Sequence, residues 1–143
     1  MAFVSKQELR PEIEKQLYEQ LADLFLANQR KKDCNNLVYE LFTKTERLML
    51  AKRVAIIALL ERGYTPYSIS LSLQVSESTV ARINAQRMRG RYASIVRTIE
   101  NKRYRQSILG TLETLLTLGF PGVAAKKVRT QIRQDIESWR AGG

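Results

Sequence analysis

The sequence predicts an all-α protein, on three observations. Apolar residues recur at helical spacing through most of the chain. Helix-start signals, Thr or Ser followed by acid or proline, occur three times between residues 43 and 80. The one stretch that alternates like a β-strand, "SISLSLQV" at residues 68–75, has no second alternating run to pair with. A lone strand would leave its ladder donors and acceptors unmet.

Taken in order, residues 8–28 carry Ile13, Leu17, Leu21, Leu24 and Phe25, spaced four, four, three and one, which is one stripe of a helix. Residues 28–36 are polar and read as a connection, with a short helical patch following at residues 37–42. "TKTE" at residues 43–46 is a capping box, in which Thr43 and Glu46 satisfy each other's amides. The helix it opens points Leu48, Leu50, Val54, Ile57 and Leu60 largely inward and stops at Gly63, a C′ residue. Because it is apolar on more than one side, it is expected to be the central buried helix.

Thr65-Pro66 starts the next helix, with Thr as N-cap and Pro at N1, where no N–H is needed. "SEST" starts another, with Ser76 as N-cap and Glu77 placed favourably for the helix dipole. It runs to about Met88 and ends at Gly90. Tyr92, Ile95, Val96 and Ile99 then mark a helix, and Ile108, Leu109, Leu112, Leu115 and Leu116 another. After "GFPG" at residues 119–122, a last stripe is expected at Val128, Ile132, Ile136 and Trp139.

Two short capped helices joined by "QVS" make a helix-turn-helix. Ile69, Leu73, Val75, Val80 and Ile83 are spaced to lock the pair, and Ser70 is the small residue facing the second helix. Gln74 sits where glycine usually takes the left-handed turn conformation, at a cost of roughly 1 kcal/mol. With Val80 and Ile83 inward, Ser76, Glu77, Ser78, Ala81, Arg82 and Ala85 face outward, toward a major groove.

Charge separates this pair from an ordinary helical hairpin. The chain has a formal net charge of +10, unevenly spread: residues 1–42 hold 6 Lys/Arg against 7 Asp/Glu, and residues 43–143 hold 18 against 7. Arg82, Arg87, Arg89, Arg91, Arg97, Lys102, Arg103 and Arg105 follow one another with Glu100 the only acid among them. Backbone phosphates are their natural partners. The residues expected to meet DNA are therefore Ser76, Glu77, Ser78, Thr79, Arg82, Gln86, Arg87, Arg89 and Arg91. Glu77 is placed either to accept from cytosine N4 or only to cap its own helix.

Catalysis and metals are disfavoured. With a single cysteine, Cys34, and no histidine, neither a Cys/His zinc site nor a Ser-His-Asp triad can be assembled. No catalytic residue, metal or cofactor is expected. The apolar run at residues 54–60 is far too short to span a membrane, and residues 1–4 make no signal peptide, so a cytoplasmic setting is expected.

From residue 41 to about residue 86, roughly a third of the chain, the sequence resembles the Trp repressor family. "LFTKTERLMLAKRVAIIALLERG" is similar to its capped core helix and "SISLSLQVSESTVARI" to its DNA-reading pair. The resemblance implies a Trp repressor-like helical bundle forming an intertwined homodimer, with recognition helices in successive major grooves. The chain is expected to divide into N-terminal dimerisation helices (residues 1–42), a Trp repressor-like helix-turn-helix core (43–105) and a C-terminal helical extension (106–143). The resemblance also implies a ligand pocket in which two arginines sandwich a corepressor's indole beside a threonine; the matching positions are Arg53, Arg82 and Thr43. The family's glycine at the next position is Ile83 here, whose branched side chain is expected to intrude on the ligand space. A small-molecule corepressor is therefore disfavoured, and Arg82 is read first as a phosphate clamp.

The function expected is sequence-specific double-stranded DNA binding by a homodimeric bacterial repressor. Leu17, Leu21, Leu24 and Phe25 could serve the dimer or equally pack on their own chain. The rival readings are a protein-interaction module docking through the C-terminal stripes, or a DNA-binding subunit of a mobile-element or sigma-factor-like assembly; sigma-factor C-terminal domains share a similar capped helix before a helix-turn-helix.

Overall fold

In the computed structural model, residues 8–118 are described, together with residues 130, 133–134, 137–138 and 140–141. Among them there are seven α-helices and no strand: α1 Pro11–Ala27, α2 Lys31–Leu41, α3 Lys44–Glu61, α4 Pro66–Leu73, α5 Glu77–Met88, α6 Ala93–Glu100 and α7 Lys102–Leu118. The expected stripe at Val128, Ile132, Ile136 and Trp139 lies outside the described residues. The chain forms two compact units, Met1–Leu48 and Met49–Gly143.

In the first unit, α1 starts with Pro11 at its first turn and buries no residue. Leu17, Leu21 and Leu24 stay exposed and Phe25 is half-buried, so this stripe is not packed away within its own unit. The polar connection expected at residues 28–36 is corrected, because α2 already begins at Lys31. Its apolar row is Cys34, Leu37, Val38 and Leu41, helical in spacing, but only Cys34 precedes Leu37. One apolar residue among polar neighbours gives no period to read.

The capping box forms as expected. The Thr43 amide donates to Glu46 Oε2 at 2.8 Å, and the Glu46 amide donates to Thr43 Oγ1 at 3.3 Å. The amide and hydroxyl of Thr43 hold the Glu46 carboxyl below its usual 4.5. A depressed folded pKa means that this contribution is present above about pH 4.5 and fades as the pH falls through the folded value. Arg47 fastens the same corner: it donates to the Phe42 carbonyl at 2.6 Å and lies over the Tyr39 ring at 4.3 Å.

The second unit is built on the C-terminal half of α3. Ile56, Ile57, Ala58, Leu59 and Leu60 are buried in succession. Five consecutive buried positions span more than one full turn, so neighbours surround the helix there. Ile69 from α4, Val80 and Ile83 from α5, and Ile99 from α6 complete the core with Tyr64. Burying such side chains is worth about 1.5–3 kcal/mol each. The expectation that Leu48 and Leu50 point inward is corrected: they are 54% and 40% exposed. The buried residues of α3 start only at Ile56, and around Ala51, Val54 and Ala55 an apolar cavity of about 370 Å³ opens toward Tyr104 and Ile108 of α7.

Gly63 ends α3 as expected, at φ +82°. The Tyr64 amide reaches the Leu59 carbonyl at 3.2 Å and the Gly63 amide the Leu60 carbonyl at 3.0 Å, a Schellman closure. Gly90 closes α5 in the same way, with Arg91 donating to Gln86 and Gly90 to Arg87. Residues 68–75 are no strand: Pro66–Leu73 is helix α4, and Gln74 leaves it in the left-handed conformation at φ 51° and ψ 55°.

Gln74 is the only non-glycine with positive φ among the described residues. Replacing it with glycine is expected to stabilise the protein by roughly 0.5 kcal/mol, the relief of left-handed strain less glycine's extra chain entropy. Thermal unfolding followed by circular dichroism should show a midpoint a degree or two higher.

Candidate nucleic-acid interface

The helix-turn-helix is assembled from its caps. Thr65 Oγ1 accepts from the Ser68 amide at 3.2 Å to start α4, and Ser76 Oγ accepts from the Thr79 amide at 3.2 Å to start α5. Between them Gln74 makes the turn, and the Lys52 ammonium on α3 donates to the Gln74 carbonyl at 3.3 Å. The brace joins residues 22 apart, so nothing in the local sequence announces it. Ile69, Val80 and Ile83 are buried, with Leu73 and Val75 packed against them, as the spacing predicted. The Ser70 hydroxyl donates to the Tyr67 carbonyl at 2.8 Å.

These anchors fix which side of α5 is open. Ser76, Glu77, Ser78, Ala81, Arg82 and Ala85 are all exposed, the set the periodicity assigned to the outer face. Ser78, Ala81, Arg82 and Ala85 form its body at successive turns. Beyond capping the helix, the Ser76 hydroxyl also hydrogen-bonds Thr79 Oγ1 at 2.7 Å and Ser78 Oγ at 3.1 Å. Thr79 is half-buried beneath this network.

The basic residues divide into two groups. Arg87 was expected on the DNA backbone, yet its Nη1 lies 2.5 Å from Glu61 Oε1 and its Nε and Nη2 donate to Asn84 Oδ1 at 3.2 and 3.1 Å. With both partners of the ion pair about 22% exposed, Arg87 fastens α5 to the end of α3, and its charge is already matched. The sequence hid this because Glu61 stands 26 residues away. Arg89 and Arg91, flanking Gly90 at the C-terminal end of α5, are exposed and have no ion-pair partner among the described residues.

The residues singled out for a ligand pocket are partly brought together. Arg53 and Arg82 line one cleft of about 170 Å³ in the second unit, with Ile83, Gln86, Arg91 and Tyr92. The Tyr92 hydroxyl donates to Gln86 Oε1 at 2.5 Å across it. Thr43 belongs to the first unit, where its hydroxyl donates to Glu46 at 2.8 Å. Among the described residues, no cluster of three or more His, Cys, Asp or Glu could hold a metal. No described helix is long and apolar enough to cross a membrane.

The family model of the Trp repressor protein matches residues 16–102, well over half of the chain. The chain belongs to the Trp repressor family. The match extends beyond residues 41–86, from within α1 to the first residue of α7. It makes the protein a helix-turn-helix DNA-binding regulator of all-α, Trp repressor-like fold. No curated protein and no solved structure matches the chain.

The two groups of arginines should separate experimentally. Arg87→Ala leaves Glu61 without its partner and is expected to cost about 1–2 kcal/mol of unfolding free energy in urea. Arg89→Ala, on the open surface, should change stability by less than about 0.5 kcal/mol.

Proposed function

We propose that this protein is a sequence-specific double-stranded DNA-binding repressor that works as a cytoplasmic homodimer, with α5 as its reading helix. The observation that carries the reading is the two-sidedness of α5: Val80 and Ile83 are buried, while Ser78, Ala81, Arg82 and Ala85 stand open. An exposed row of small side chains lets the helix come close to base edges, and Ala81 and Ala85 can meet thymine methyl groups. Ser78 and Arg82 supply the polar contacts. Ser76 and Thr79 hold the helix start, whose free amides suit a phosphate. Glu77 favours the same helix start as a first-turn acid. Arg89 and Arg91 meet the backbone; Arg87 stands behind them as a brace.

The homodimer is supported by α1. A helix of 17 residues with no buried side chain gains little from its own unit, and its Leu17, Leu21 and Leu24 stripe suits a second copy of the chain. In this organisation residues 1–42 serve dimerisation, 43–105 read DNA and 106–143 extend the second unit. Two reading helices would then address half-sites about one helical turn apart.

Selection of duplexes from a random pool supplies the specific site. On that site and on random duplex, Arg89→Ala should weaken binding alike and lower the salt slope by about one unit. Ser78→Ala should instead shift sequence preference. Light scattering should show a dimer at micromolar concentration, and replacing Leu17 and Leu21 with Asp should leave a monomer. A protein that binds all duplexes equally would remove sequence-specific repression.

A further inference from the structure

We propose that the cavity between α3 and α7 in the second unit binds a small, neutral, largely apolar molecule. One wall is Ala51, Ala55 and Ala58 of α3, spaced four and three along a single face, where short side chains leave a space of about 370 Å³ open. Leu73 also lines it, so an occupant touches the residue that precedes the Gln74 turn. Interiors are close-packed, and voids larger than a water molecule are few in a domain. This one lies within the range of about 300–1,000 Å³ that encloses small organic ligands. A cavity of about 150 Å³ already holds benzene, so there is room here for two fused rings or a medium alkyl chain. The cavity shares no lining residue with the cleft of Arg53 and Arg82, and its α7 wall lies beyond the residues that the family model matches.

The opposite wall sets the kind of molecule. Tyr104, Ser107 and Thr111, spaced three and four on α7, bring three hydroxyls to the lining. None of these has a hydrogen-bond partner among the described residues, whereas the Ser72 and Thr98 hydroxyls donate to carbonyls four residues back at 2.7 and 2.9 Å. Each free hydroxyl can donate and accept. Burial pushes the Tyr104 hydroxyl above its usual 10, so it keeps its proton at neutral pH. No Lys, Arg, Asp or Glu lines the cavity, and a charged occupant would lose its water without gaining a partner. The leucine stripe of a second copy fits less well, because it would cover three hydroxyls and offer them nothing. An alcohol or phenol with an apolar body satisfies both walls.

Calorimetry on the full-length protein at neutral pH without DNA, with naphthol and octanol as probes, tests the site independently of DNA reading. Saturable binding of either probe, at least tenfold weaker in Ala55→Leu, supports it. Tyr104→Phe keeps the ring and removes the hydroxyl, and should weaken the same probe about two- to tenfold. Circular dichroism confirms that each variant is folded, and Ala51→Leu, at an exposed position of the lining, replaces Ala55→Leu should that variant unfold. The proposal is overturned if neither probe binds saturably up to its solubility, or if the folded leucine variant binds as the wild type does. It is overturned equally if naphthoate, a charged analogue, binds as tightly as naphthol and loses that binding in the same leucine variant. A probe that halves the molar mass on light scattering assigns the cavity to a second copy of the chain and overturns the proposal too.

Discussion

The structure depends on how α5 is seated. Val80 and Ile83 go into the core made by Ile56, Ile57 and Ile69, and that burial decides which residues of α5 remain outside. A helix rotates by about 100° per residue, so two buried positions three apart fix its facing to within a fraction of a turn. Ser78, Ala81, Arg82 and Ala85 are exposed because Val80 and Ile83 are not. The apolar packing is thus the cause of the polar surface, and functional readings of Arg82 inherit their geometry from it.

Packing sets the rotation of α5, and two polar braces set its ends. At the start, the Ser76 cap and the Lys52 contact with the Gln74 carbonyl hold the turn. At the far end, Arg87 is tied to Glu61 while Asn84 accepts from the same guanidinium. Both braces originate on α3, so the central helix positions α5 along its length. Such a frame suits a rigid reading element, which loses less freedom on binding than a mobile one.

Much of this was legible in the sequence because it is local. Thr43 and Glu46, Thr65 and Pro66, Ser76, Gly63 and Gly90 each mark a helix end through chemistry within a few residues. Gln74 could be assigned the left-handed turn because its neighbours demanded one. The outer face of α5 followed from the spacing of two buried residues. What escaped was either long-range or sparse. The Glu61–Arg87 pair and the Lys52 brace join residues 26 and 22 apart, so Arg87 reads from the sequence as a phosphate contact and Lys52 gives no signal. The first turn of α2 offers a single apolar residue, Cys34, and so no period. Leu48 and Leu50 follow the apolar pattern of the rest of α3 and yet are exposed, because a local period does not say what packs against it.

The division among the arginines gives the basic surface its meaning. Net charge alone predicts attraction to any polyanion and says nothing about where the polyanion lies. An arginine whose charge is matched within the fold adds stability but little outward field, as Arg87 does beside Glu61. An arginine without a partner keeps its full demand for one. Arg53, Arg82 and Arg91 share a cleft with Ile83, Gln86 and Tyr92. Unmatched cations beside the exposed face of α5 concentrate positive potential there. Ser78, Ala81 and Ala85 are small and uncharged, so attraction of a polyanion to this face comes from the arginines around them.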